Sequence, residues 1–455
     1  MTIATHAAWP RARSMAGLGA LVAIAAFTQT ASYLFAPPVR WSSLTVAARE
    51  GVMLPALIVA VAAALFGRAY RPGNLAIGRL CAGGPFRVLA RQTIGCCIAV
   101  MAGYVVALAP LAVRTALIAD YDGPDVPALL AALVTLASLT VAASVLGAVA
   151  ASRWTMVALP LGMFAALVFG SLLTNTFLVN TDRSALLPAP IWVNDFPSPG
   201  WRLEPMTGAY RIAFFTVLAT AMLAAGRNAL DGADGRRWAR DLMLWPCAIM
   251  ATVMAITPLI HPMPLIRADG QSPICSDVSA QVTVCMHPAD RQLSGEVAAA
   301  AGRVLELAPQ PHVTMNEHFG STDWAVSAET ATFRAPSGGE SRDVIVREVQ
   351  RAVVESVAGR MQCATVRDPG VVGEAAEISE PEDVLISVQQ EIRVRLGNAD
   401  AIGVNPETGE KTYRRPNDLS DALSRLTDAQ FADWFARHRA ALQSCTATEA
   451  TVMPD

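Results

Sequence analysis

The sequence predicts an α-helical polytopic membrane domain of about seven transmembrane helices, followed by an α+β extracytoplasmic domain. Three observations carry that prediction. The chain is 53% hydrophobic and only 16% charged, against roughly 25% charged residues in ordinary soluble proteins. Before Pro262 it is a string of apolar blocks, whereas after it Asp, Glu and Arg are spread throughout. The domains are accordingly placed at 1–261 and 262–455. The formal net charge of -3 leaves no dense basic face for phosphate, which excludes nucleic acid as a partner.

A bilayer core of about 30 Å takes roughly 20 mostly apolar residues in helical form. Seven segments meet that test, at about 16–35, 51–67, 93–113, 127–149, 155–174, 211–226 and 243–261. The first follows Arg11 and Arg13 like a signal peptide. No small-residue cleavage site follows it, and six more spans do, so it reads as a retained anchor. Inner loops of membrane proteins are enriched in basic residues. With the N-terminus inside, the inner segments hold twelve arginines, at 11, 13, 68, 71, 79, 87, 91, 153, 227, 236, 237 and 240. The outer segments hold six, at 40, 49, 114, 183, 202 and 211. The expectation is a multi-pass plasma-membrane protein with a cytoplasmic N-terminus and its C-terminal domain outside.

Cysteine placement gives a second view. Cys81, Cys96, Cys97 and Cys247 lie in or beside the apolar half, while Cys275, Cys285, Cys363 and Cys445 lie in the outer domain. Four cysteines in an oxidising compartment are most simply two disulfides. Cys275–Cys285 would close a short loop and Cys363–Cys445 a long one; four buried thiols are the alternative. No C-x-x-C spacing points to zinc.

As bounded above, no span carries Asp, Glu, Lys or Arg near its centre. Such groups are functional by default when they occur, so their absence weighs against an autonomous ion-coupled carrier. Thr135, Ser138, Thr140 and Ser144, with Thr28, Gln29 and Thr30, supply mild polarity. Ala143, Gly147 and Ala151 at four-residue spacing suit close helix packing. Between the second and third spans, Arg68, Arg71, Arg79, Arg87 and Arg91 alternate with Leu75, Ile77, Leu80, Phe86 and Leu89. That pattern suits a membrane-surface helix or a cytoplasmic partner, and equally a solvated basic loop.

The outer domain alternates strands and helices. Gln281–Cys285, His312–Met315, Trp324–Ser327 and Ala331–Phe333 read as strands. Asp290–Leu307, Ser341–Val357, Pro381–Leu396 and Asp418–Ser444 have helical spacing, and Leu419, Leu423, Leu426, Phe431, Trp434 and Phe435 face a core. No chemistry rises from it. Arg347 and Arg351 stand where H-E-x-x-H would place zinc ligands, and His312, Glu317 and His318 lack a second cluster. Gly403–Thr412 lacks the Gly before Lys411 that a phosphate loop requires. Neither a catalytic residue, a cofactor nor a metal is expected.

Two features together carry a resemblance. One is the multi-span half with its basic loop after the second span. The other is an outer domain opening with Cys275 and Val284-Cys285-Met286-His287-Pro288 and closing with Trp434-Phe435-Ala436-Arg437-His438-Arg439 and Cys445. The chain resembles actinobacterial membrane proteins described as ABC-transporter permease-like, with a C-terminal domain of unknown function. The almost exclusive use of Arg, with Lys411 the single lysine, suits the GC-rich genomes of such organisms. The resemblance implies a non-enzymatic permease subunit of an exporter, partnered by a separate ATP-binding-cassette ATPase that docks on Arg68, Arg71, Arg79, Arg87 and Arg91. Further partners are the lipid bilayer and, as one option, a second copy forming a homodimer. A membrane-anchored extracytoplasmic sensor or binding protein is the alternative.

Overall fold

A computed structural model of the chain describes residues 12–35, 39–68, 84–150, 157–165, 169, 183–184, 200–231, 244–261, 263–264, 266–319, 327–335, 342–359, 380–399, 403–404, 411–413 and 417–454. The chain divides into two compact units. The first holds residues 1–197 and 201–268 with 337–339, the second 198–200, 269–336 and 340–455.

In the first unit, α1 (Ala12–Phe35), α2 (Trp41–Glu50), α3 (Met53–Arg68), α4 (Gly84–Ile118), α5 (Val126–Val149), α6 (Pro205–Asp231) and α7 (Leu244–Ile260) follow one another. Helices α2 and α3 form one apolar stretch, Trp41–Gly67, interrupted at Gly51–Val52. The break has a local cause, because Pro55 has no N–H to give the Gly51 carbonyl. The orphaned N–H of Leu54 is instead taken by Gln29 Oε1 at 3.0 Å. Asp125 caps α5 by accepting from the Ala128 N–H at 3.1 Å.

Among the described residues, five helices are long and apolar enough to cross a membrane: Ala12–Phe35, Trp41–Gly67, Phe86–Ile118, Val126–Val149 and Pro205–Leu230. The expected count of about seven is therefore reached only in part. Helix α7 has 17 residues, about 25 Å of rise, and is shorter than those five. Half of the segment 155–174 lies outside the described residues; helix is seen over 157–165, with Leu159 and Met163 against the core.

Small residues set the helix crossings. A Cβ on Gly103 of α4 would collide with the Gly19 carbonyl of α1, and one on Gly147 of α5 with the Ala64 backbone of α3. Without a hydrophobic drive between helices in lipid, such close approach is a principal source of association. The hydroxyls of Thr135 and Thr140 return to carbonyls one turn back, at 2.6 and 2.7 Å, and so satisfy themselves within α5. Directions follow from the contacts. Gly208 lies against Pro127 and Gly226 against Val145, so α5 and α6 run parallel and begin at the same end of the bundle. Short ladders β1–β3 (Arg183–Ser184 with Met263–Pro264) and β2–β4 (Trp201–Leu203 with Ile266–Ala268) complete the unit.

The second unit is α+β. Its sheet has the order β5–β6–β7–β8, comprising Ile274–Ser279, Val282–Met286, Val313–Glu317 and Thr330–Phe333. The β5–β6 hairpin is antiparallel, while β6, β7 and β8 are parallel. Helix α8 (Ser294–Leu307) is the crossover between β6 and β7, and α9 (Arg342–Val357) and α10 (Glu380–Arg395) follow. The last expected helical stretch is two helices, α11 (Asp418–Arg425) and α12 (Asp428–Gln443), followed by α13 (Glu449–Val452). Thr427 starts α12 with a capping box to Gln430. Leu419, Leu423, Phe431, Trp434 and Phe435 are all buried in one core with Val284, Val304 and Phe333, and Trp434 Nε1 donates to the Val452 carbonyl at 2.7 Å.

Candidate functional site

The polar residues of the first unit collect where α2, α5 and α6 begin. A cavity of about 330 Å³ is lined there by Trp41 and Thr45 of α2, Asp122, Asp125, Arg202 and Arg267, with Val46, Leu203 and Pro205 adding apolar wall. Arg202 is fixed at its rim. Its Nη1 pairs with Asp122 at 3.1 Å, its Nη2 donates to the Tyr121 hydroxyl at 2.9 Å, and its guanidinium lies 5.6 Å from that ring's centroid.

A narrow crevice adjoins this cavity and shares Asp125 and Leu203 with it. Its remaining lining includes Arg49, Glu204, Thr207, Gly208 and Arg211. Arg49 and Arg211 are 5% and 3% exposed, and both lie inside candidate spans. The spans as read from sequence began at 51 and 211, and so were taken to be free of interior charge. Helix α2 extends the second span back to Trp41, and α6 extends the sixth back to Pro205. That change places Arg49, Glu50 and Arg211 within helices long enough to cross a membrane. Glu50 is occupied by the Tyr33 hydroxyl at 2.9 Å. Asp125 is held by its cap, and burial raises its carboxyl above the ordinary range. Among the described residues, the Nε and Nη2 of Arg211 have no hydrogen-bond partner. A buried guanidinium without partners is costly, and charge inside a span is functional by default.

The anticipated docking arginines fare unevenly. Arg87 and Arg91 are exposed on the first turns of α4, and Arg68 closes α3. Arg71 and Arg79 lie outside the described residues. Cys275 and Cys285 face each other in the β5–β6 register and are disulfide-bonded. Cys445 is disulfide-bonded as well, and Cys363 lies outside the described residues. Cys96, Cys97 and Cys247 are free thiols.

In the second unit, the Cys-Met-His-Pro stretch resolves into a clamp. His287 Nε2 is 2.7 Å from Asp269 Oδ2, while Nδ1 accepts from the Ala289 N–H at 3.2 Å. The His287 N–H donates to the buried Glu317 at 2.8 Å. Both ring nitrogens are thus engaged on a residue 2% exposed. His312 bonds Thr283 at 3.1 Å from the far end of β7. Five residues of strand separate it from Glu317, about 16 Å, so the two share no metal. Among the described residues no group of three His, Cys, Asp or Glu could hold one. Arg347 and Arg351 lie on α9, where Arg351 pairs with Glu355 at 3.2 Å.

The fold is that of a polytopic membrane protein with a cavity at one end of its bundle, adjoined by a crevice that holds buried arginine. No protein-family model matches the chain, and neither a curated protein nor a solved structure matches it.

Proposed function

We propose that the chain is the permease-like membrane subunit of an ABC-type exporter, with a separately encoded ATPase supplying the energy. The observation that carries this reading is the pair Arg49 and Arg211, buried within two candidate spans beside a cavity of about 330 Å³. A membrane anchor needs no charge there, whereas a path for a polar solute does. The exposed Arg87 and Arg91 at the start of α4 offer the ATPase a basic docking edge. In this reading the bundle crosses the plasma membrane seven times, with its N-terminus cytoplasmic and its second unit outside. Three features support that topology: the twelve-to-six division of arginines, the parallel start of α5 and α6, and a disulfide in the second unit.

The test is affinity purification of the detergent-solubilised chain from its native host, with mass spectrometry. A stoichiometric ATP-binding-cassette protein is expected, and it should be lost when Arg79 and Arg87 become Glu. A preparation without an ATPase, repeated after cross-linking in intact cells, would overturn the exporter reading.

The second unit favours a second reading, in which a membrane-anchored outer domain binds a ligand or partner. Strand β5 is exposed along its whole length at the edge of the sheet, and an open edge strand accepts a further strand.

A further inference from the structure

Arg211 poses a question of charge balance. It is buried, its Nε and Nη2 are unpartnered, and no carboxylate is within ion-pair distance of it among the described residues. Arg49 shares its crevice. The two acids nearby do not settle the account, because Asp125 is committed to the α5 cap and is held toward its neutral form by burial. Glu204 is only half-buried and makes no ion pair with Arg211. Helices α5 and α6 both begin at the crevice, so their positive ends add to the field there. Arg211 thus lacks an acidic partner among the described residues, while Arg49 beside it has Glu50 and Asp125 as acidic neighbours.

We propose that Arg211 and Arg49 receive the carboxylate of a small organic anion, whose apolar body occupies the adjoining cavity against Trp41, Val46 and Leu203. The crevice itself is narrow, at about 10 Å³, space for at most one oxygen, so the carboxylate would sit at its mouth with one oxygen turned in. The cavity beside it, at about 330 Å³, is at the lower end of small-molecule sites. The rim pair Arg202–Asp122 and the exposed Arg267 line that cavity, and Arg267 would add attraction for an incoming anion. This inference names the substrate class of the exporter reading and rests on that reading for its transport role, though the binding itself does not.

The test uses the full chain in detergent, at constant ionic strength. Its thermal midpoint is measured against sodium chloride, acetate, butanoate and hexanoate, with hexanamide as the uncharged control. The expected result is a stabilisation that grows from acetate to hexanoate and is absent with hexanamide. Arg211→Gln should raise the concentration for half-effect at least tenfold, and Arg211→Lys should restore part of it. One further readout separates a binding arginine from a structural one: without ligand, Arg211→Gln should melt higher than the parent chain, because a buried unpartnered charge is removed. A lower midpoint for Arg211→Gln with carboxylate stabilisation intact would overturn the proposal. So would stabilisation by chloride equal to that by hexanoate, or none by any anion. Flux in vesicles with the ATPase is a separate matter. Binding without flux would sink the exporter reading and leave this site standing. Flux that Arg211→Gln does not alter would sink this site and leave the exporter.

Discussion

The two units of this chain solve the packing problem in opposite ways. In the first, large apolar side chains such as Leu21, Ile24, Leu65, Ile98, Val106 and Leu117 point outward, while Ala, Gly, Ser and Thr fill many of the buried positions. In the second, the large side chains turn inward, and Phe333, Phe431, Trp434 and Phe435 are 0–1% exposed. The difference follows from the solvent each unit is built for. Lipid tails are as apolar as leucine, so burying leucine gains nothing there and close backbone contact must hold helices together. Water rewards the burial of every large apolar group. Both units enclose charge, but differently: in the second, the buried Glu391 is paired with Arg395 at 2.8 Å, whereas in the first, Nε and Nη2 of the buried Arg211 have no partner among the described residues.

Substitutions that are mild in one unit should therefore be severe in the other. The largest effect is expected at the second unit's core. Trp434→Ala removes a side chain 1% exposed and should cost about 3–5 kcal/mol, read by chemical denaturation followed through tryptophan fluorescence. Replacing Cys275 and Cys285 together by Ser should cost that unit about 2–4 kcal/mol, and reduction, which also opens the Cys445 disulfide, should cost the parent chain more. In the first unit the sensitive position is the smallest residue. Gly103→Val drives a side chain into the Gly19 carbonyl and should cost about 1–3 kcal/mol, seen as a lower melting point in detergent. An equal insensitivity of both units to these changes would break the comparison.

The smallest expected effect is a dependence on pH. Burial raises the Asp125 carboxyl, its largest influence, against the smaller opposing effect of the Ala128 N–H. A folded pKa above the unfolded one means that the group's contribution to stability is fully present below the ordinary carboxylate range. It is lost as pH rises through the raised value. Asp125→Asn keeps a capping side chain and should flatten that part of the stability profile. An unchanged profile would show that Asp125 does not titrate in this window.

The helices of both units were legible because period and hydropathy fix them locally. The strands Gln281–Cys285 and Ala331–Phe333 and the helices at 341–357 and 381–396 all appear within a few residues of their expected bounds. The parallel order of β6, β7 and β8 was not legible, since strand neighbours are chosen by tertiary packing. Nor was the arginine pocket. A hydropathy window trims polar residues from the end of a span, so Arg49 and Glu50 fell into a loop and Arg211 onto an edge. A signal did exist: Leu44, Val46, Ala47 and Ala48 continue the apolar run behind Arg49, and a helix started at Trp41 carries the charges inside it. The expected disulfide of Cys275 with Cys285 was legible from its short loop, and the β-hairpin register explains it.

We propose that the first unit spans a membrane with its arginine crevice toward the outside. Arg87, in the first turn of α4, and Asp120, two residues past its end, are both exposed at opposite ends of this helix of 35 residues. Arg87→Cys and Asp120→Cys, made separately and treated in intact cells with a membrane-impermeant maleimide, should differ sharply. Label at position 120 and none at 87 until the cells are opened is the predicted result. Label at 87 alone would invert the orientation, and label at both in intact cells would contradict a membrane-spanning α4.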